Sequence, residues 1–294
     1  MNLLRMTVLM AAMTALFVTV GYLAAGPNGM VLAFLFAAGS NLFAYWNSDR
    51  MVLSLYRAQQ AAPGSRLVQI VEGLARNANL PMPAVYIAEN PQPNAFATGR
   101  DPDHAAVCVT TGLLDSVSDE ELAGVLSHEL GHIKHRDTLT MTIVATMAGA
   151  VSMIANWAMW SGIFGGTREE RDSGLGLAGA LIVAMLAPVA AALVQMAISR
   201  TREFEADREG ALISGRPLWL ASALRNIERR AEIIDNPIAD ANPATAHMFI
   251  VNPLSGGGMA ALFASHPPME QRIARLEAMA GAPAADDGFK SPWA

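Results

Sequence analysis

Four stretches of this chain carry no charged residue: Met6–Ala25, Met30–Trp46, Thr138–Gly166 and Gly174–Ser199. About 20 apolar residues cross the hydrocarbon core of a bilayer, so the first, third and fourth are long enough and the second sits at the short end. A chain that is 52% hydrophobic and only 16% charged is too apolar for an ordinary soluble enzyme. The first two stretches are separated by "GPNG", which reads as the turn of a tight hairpin. Small residues in "YLAAG" leave a cleaved signal peptide as the alternative for the first. Buried helices of a soluble core are the alternative for the last two.

Arginine and lysine orient the hairpins. Arg5 precedes the first stretch, Arg50 to Arg136 lie between the second and third, and Arg200, Arg202 and Arg208 follow the fourth. The turn of the first hairpin has none, so both termini and the segment Asn47–Asp137 are expected on the cytoplasmic side. Only "TREERD", with Arg168 and Arg171, votes the other way. Tyr45 and Trp46 stand where an interfacial aromatic pair would anchor the second span. The net charge of −6 is unclustered and points to no nucleic-acid partner. A single cysteine, Cys108, rules out an internal disulfide and reads as a buried strand residue.

The polar segments predict a small α+β domain. Apolar residues at Leu67, Val68, Ile70, Val71 and Leu74 repeat at helical spacing. "PAVYIAE", "NAFATG" and "AAVCVTTGLL" read as short strands between Pro, Asn, Gly and Asp. Ser118 and Glu121 form a capping box, so a helix starts at "SDEELAGVLSHELGHIKHRD". "SRTREFEADREGALI", "LWLASALRNIERRAEII" and "SHPPMEQRIARLEAMA" are further helices, the last capped by Ser265. Residues 235–264, rich in Pro, Asn and Gly, read as a mobile loop over one face. The expected divisions are 1–47, an N-terminal membrane hairpin; 48–137, the first polar part; 138–199, a second membrane hairpin; 200–280, the second polar part; and 281–294, a disordered tail.

Chemistry enters with His128-Glu129-x-x-His132. Residues four apart share a helix face, roughly 5–6 Å between Cβ atoms. The two histidines can therefore offer nitrogens to one metal ion, with Glu129 beside them to act on a water molecule. A catalytic zinc takes a third protein ligand. "EFEAD" supplies it: Glu203 and Asp207, four apart, share a face, so one can ligate while the other orients a ligand histidine.

"SHELGHIKHRD", "SRTREFEAD", "NAFATG" and "SHPPMEQRIARL", in this order among apolar stretches, resemble the HtpX family of membrane-bound zinc metalloproteases. The CAAX prenyl proteases are more distant relatives. The resemblance implies a mostly helical α+β integral membrane protein of about four transmembrane helices. Its cytoplasmic domain is then a gluzincin-type zinc protease with a small β-sheet. By the same resemblance one Zn2+ per chain is held by His128, His132 and Glu203, with Asp207 orienting a ligand. Glu129 is the catalytic base, and His266 is placed near the active site, where it could donate to the oxyanion. Asn94, Ala95 and Phe96 form a strand edge that pairs with an extended substrate.

The implied function is quality control and stress response in the cytoplasmic (inner) membrane, with the bilayer and misfolded membrane proteins as partners. A CAAX-type processing protease and an inactive membrane scaffold with a structural zinc site are the competing readings. The intact Glu129 speaks against the second. On a continuous helix His132 would lie about 9 Å from Thr138, where the third apolar stretch begins, so the site is expected at the bilayer surface.

Overall fold

The computed structural model describes residues 2–144, 200–231, 233–241, 243–252 and 267–281. Helix α1, Asn2–Leu55, is interrupted by non-helical dihedrals at Ala25 (φ −145°, ψ 23°) and Gly26 (φ 63°, ψ −148°), just before Pro27. Gly26 takes a left-handed backbone that a side chain would disfavour. Its two arms run back along one another. Asn41 Nδ2 donates to Thr14 Oγ1 at 3.0 Å, and the Phe17 and Phe36 rings lie 5.7 Å apart. A Cβ on Gly21 would sit 2.5 Å from that of Ala33, so small residues let the arms touch near the turn.

Among the described residues one helix, Ala25–Asn47, is long and apolar enough to cross a membrane, at 23 residues and a mean hydropathy of 1.4. In the first arm only Met10–Thr19 forms a shorter apolar helix. The fourth expected span and all but residues 138–144 of the third lie outside the described residues. The expected set of four transmembrane helices therefore reduces here to a hairpin with one qualifying span.

The rest is mostly helical, with a small mixed sheet of order β1-β2-β4-β3. Strands β1 (Gln59–Gln60) and β2 (Ala84–Ala88) are antiparallel, β2 and β4 (Ala105–Thr110) are parallel, and β3 (Ala95–Gly99) closes one edge antiparallel to β4. Successive strand residues face opposite ways, so β4 serves two cores. Val107 and Val109 pack with Ile70 and Leu74 of α2 (Arg66–Ala78) and with Leu126 and Leu130 of α4 (Asp119–Lys134). Ala106 and Cys108 face Val52, Leu53 and Tyr56 at the end of α1, together with Phe96 and Phe249. Burial pushes the Cys108 thiol up to about 12, so it is an inert core residue.

The strand expected through "TTGLL" stops at Thr110, and Thr111–Leu114 is a short helix, α3. Thr110 turns the chain by capping α3: its hydroxyl accepts from the Leu113 N–H and donates to the Gln92 carbonyl. The capping box of α4 is formed in both directions, Ser118 N–H to Glu121 and Glu121 N–H to Ser118. At its other end α4 does not run on. Arg136 adopts φ 58°, and a new helix begins at 137 and is described to 144. The continuous helix expected from His132 into the third apolar stretch is thus broken at residues 135–136.

After residue 199 come α5 (Arg200–Ser214), α6 (Pro217–Ala231), α7 (Pro237–Ala241), a 3-10 turn at Pro243–Met248 and α8 (Met269–Gly281). Within the stretch expected to be a loop, Pro237–Ala241 is helical and Pro243–Met248 is a 3-10 turn. Its apolar run Met248, Phe249, Ile250 and Val251 is buried, and the Ile250 N–H donates to the Ala95 carbonyl at 3.3 Å. Composition rich in turn residues hid that run, whose burial favours holding the segment in place. Residues 253–264, Ser265, His266 and the tail beyond Gly281 lie outside the described residues.

Candidate active site

Helices α4 and α5 touch backbone to backbone. A Cβ on Gly210 of α5 would lie 2.8 Å from the His128 backbone nitrogen, and one on Gly131 of α4 would lie 3.1 Å from the Ala206 carbonyl oxygen. Glycine at both points lets α5 press its Glu203–Asp207 face onto the histidines of α4. Gly210→Ala is therefore expected to lower stability by about 1–3 kcal/mol through overpacking. It should also weaken metal binding by moving Glu203 away, and thermal unfolding with a zinc titration of the same sample checks both.

The pressed face gathers three donors. His132 Nε2 lies 3.2 Å from His128 Nε2 and 3.5 Å from Glu203 Oε1, while Glu203 Oε2 lies 3.9 Å from His128 Nε2. One ligand atom from each of the three residues lies within 4.8 Å of the others, and all three residues are buried. Two imidazoles and one carboxylate are the donor set of a catalytic zinc, so these residues fit that ion. The far side of His128 is fixed by a carboxylate: its Nδ1 is 2.9 Å from Asp207 Oδ1. An acceptor at Nδ1 turns the Nε2 lone pair toward the cluster. Glu129 is buried beside the histidines, within reach of the Ala97 backbone N–H of β3.

Electrostatics follow from packing so many ionisable groups away from water. Burial raises the Glu129 carboxyl to about 7, with the Glu203 charge adding to the rise. Burial lowers His128 to about 4, and the Arg272 charge lowers it further against the hydrogen bond to Asp207. Burial also opposes a charge on His132, but Asp137, Glu203 and Glu129 outweigh it and carry it up to about 9. Asp207 goes the other way: burial would raise it, yet the Arg272 charge and hydrogen bonds hold it at about 2.

Arg272 of α8, which sequence reasoning did not single out, is among the largest fully buried side chains of the described residues. Its guanidinium donates to both Asp207 oxygens, Nε to Oδ2 at 2.9 Å and a terminal nitrogen to Oδ1 at 2.7 Å. The other terminal nitrogen donates to the Ile250 carbonyl at 3.0 Å and lies 3.8 Å from Glu203. A signal existed: the buried stripe of α8 is Met269, Arg272, Ile273 and Leu276, and an arginine in an apolar stripe needs an acidic partner. Asp137, five residues past His132, was also missed.

At Asn94 and Ala95 the edge expected to pair with substrate is met by the chain's own residues Ile250 and Val251. Asn94 is buried; its Nδ2 donates to the Val251 carbonyl at 3.0 Å and its Oδ1 accepts from the Ile250 N–H at 3.1 Å. The Ala95 carbonyl meets the same segment, and the Phe96 ring packs against Tyr56 and Phe249 on the other face. Beyond them, Ala97 faces Glu129. His266 lies outside the described residues. His104 is exposed beside Asp101, and the buried His247 Nε2 lies 3.0 Å from the Met141 carbonyl oxygen, so neither joins the cluster.

A helix bearing two histidines and an acid, clasped to a second helix bearing a glutamate and an aspartate, defines a zinc-peptidase class of site. The chain belongs to Peptidase family M48, which it matches over residues 61–280. M48 peptidases are zinc-dependent. The crystal structure of S. mikatae Ste24p is similar in fold, with a TM-score of 0.51 and 17% sequence identity over 91% of this chain. This chain spans 62% of the length of that one.

Proposed function

We propose that this chain is a membrane-bound zinc endopeptidase that cuts misfolded or damaged membrane proteins at the cytoplasmic surface of the bilayer. The observation that carries the reading is the buried cluster of His128, His132 and Glu203 with Glu129 beside it. The M48 membership supports the chemistry. The α1 hairpin, with Leu32, Leu35, Phe36, Leu42 and Phe43 exposed, supports a bilayer as its surroundings. The arginine distribution supports the cytoplasmic orientation.

Zinc in this site would act as a Lewis acid toward the scissile carbonyl and the attacking water. Glu129 takes the proton of that water and passes it to the leaving amine. No side-chain nucleophile is required, so no acyl-enzyme accumulates. The extended substrate would lie along β3 beyond Ala95, where residues 250–251 already cover the edge, and by the family resemblance His266 would donate to the oxyanion.

The second reading, a CAAX-type processing protease, draws on the likeness in fold to Ste24p. Detergent-purified protein offered a disordered loop of a membrane protein and a prenylated CAAX peptide in parallel separates the two. The loop is expected to be cleaved and the peptide left intact. Cleavage confined to the prenylated peptide replaces the first reading by the second, and cleavage of neither removes both.

A further inference from the structure

His128 and His132 are not supported alike. His128 has Asp207 behind it, from the second helix of the site. Behind His132 stands Asp137, whose Oδ2 faces His132 Nδ1 at 3.5 Å, and both groups are buried. Sequence spacing alone would keep them apart. On a continuous α-helix, residues five positions apart point about 140° away from each other. The break at 135–136, with Arg136 in the left-handed region, ends α4 and restarts the chain at Asp137, and this swings the carboxylate back toward the imidazole. Asp137 in turn faces Arg202, whose Nε lies 3.7 Å from its Oδ1 and whose side chain is nine-tenths buried.

We propose that Asp137 is the positioning carboxylate of His132, and that Arg202 clasps Asp137 in place. Accepting the Nδ1 proton fixes the His132 tautomer and leaves Nε2 as the lone-pair donor toward Glu203 and His128. The clasp has a topological meaning. Asp137 opens the helix that leads into residues 145–199, and Arg202 stands in the first turn of α5, which follows them. Glu203 is the next residue. One ion pair therefore joins the two chain ends that flank the intervening segment and sets one metal ligand directly, while the neighbouring residue supplies another. Displacing either end relative to the other would turn His132 and shift Glu203 together.

The inference rests on the zinc reading, and the test separates the two. Zinc affinity of the full detergent-purified chain is measured by competition with a chelator, and thermal unfolding with chelator present confirms that each variant is folded. Asp137→Asn keeps a neutral acceptor and is expected to bind zinc about threefold to tenfold more weakly, while Asp137→Ala loses about 10–100-fold. The visible absorption of the cobalt-substituted protein should shift in the same order. Arg202→Met is expected to weaken zinc binding in the wild-type background and to add nothing in the Asp137→Ala background. Affinity equal to wild type in Asp137→Asn, or in folded Asp137→Ala, overturns the positioning role. An Arg202→Met effect of the same size in both backgrounds overturns the clasp. A wild-type chain that binds no zinc overturns the functional reading itself.

Discussion

Glu129→Gln is expected to lower the rate of peptide-bond cleavage by about 10²–10⁴-fold, the range of a positioned general base. It should leave zinc binding unchanged. Glutamine has the shape of glutamate and can keep the Ala97 N–H as a partner, so the surrounding packing has no reason to move. What it lacks is a basic oxygen to take a proton from water. Glu129 also points away from the role of ligand, since the three donor atoms come from His128, His132 and Glu203. The effect should fall on kcat, because the carboxylate acts after substrate is seated. Steady-state cleavage of an unfolded substrate, with zinc content measured on the same preparation, checks both halves. Cleavage within a fewfold of wild type removes Glu129 from the chemistry, and loss of zinc reassigns it to holding the metal.

The second large effect concerns stability. Arg272→Met is expected to destabilise the fold by about 3–5 kcal/mol, the cost of leaving one member of a buried pair uncompensated. Asp207 is buried against the guanidinium, accepts from it through both oxygens and also faces His128. Without Arg272 its charge stays in the interior with only His128, whose own charge burial opposes, beside it. The Ile250 carbonyl loses its donor as well, so the 249–251 segment that holds β3 is loosened from α8. The second-site variant Asp207→Asn removes the stranded charge, so the double variant should be more stable than Arg272→Met alone. Thermal unfolding of the two single variants and the double variant measures this, and strict additivity of the two losses contradicts the buried pair.

Local signals in the sequence were reliable where one element contains them whole. The helix of the two histidines was legible because Ser118 and Glu121 cap it within one turn. His128 and His132 were legible because four-residue spacing puts them on one face. Glu203 and Asp207 needed the resemblance to choose between them, and the geometry shows why the choice is subtle: both reach His128, one toward Nε2 and one toward Nδ1. What escaped was set by long-range contacts. The helix break at Arg136 has no glycine or proline to announce it, and it serves the contact of Asp137 with Arg202, 65 positions away in the chain by the difference of the two residue numbers. Arg272 looked like one more charge on an amphipathic helix until the acid facing it was in place. The run from Met248 to Val251 carried an apolar signal, but its turn-rich neighbours outweighed it until β3 was seen to need covering.

The central claim is that His128, His132 and Glu203 hold one catalytic zinc. It is tested most directly by elemental analysis of detergent-purified protein after exposure to zinc and dialysis, with wild type, Glu129→Gln and Glu203→Ala side by side. The wild type and Glu129→Gln are expected to retain one zinc per chain, and folded Glu203→Ala to lose it. A wild-type protein that retains none, or a Glu203→Ala variant that holds zinc as tightly as wild type, contradicts the account.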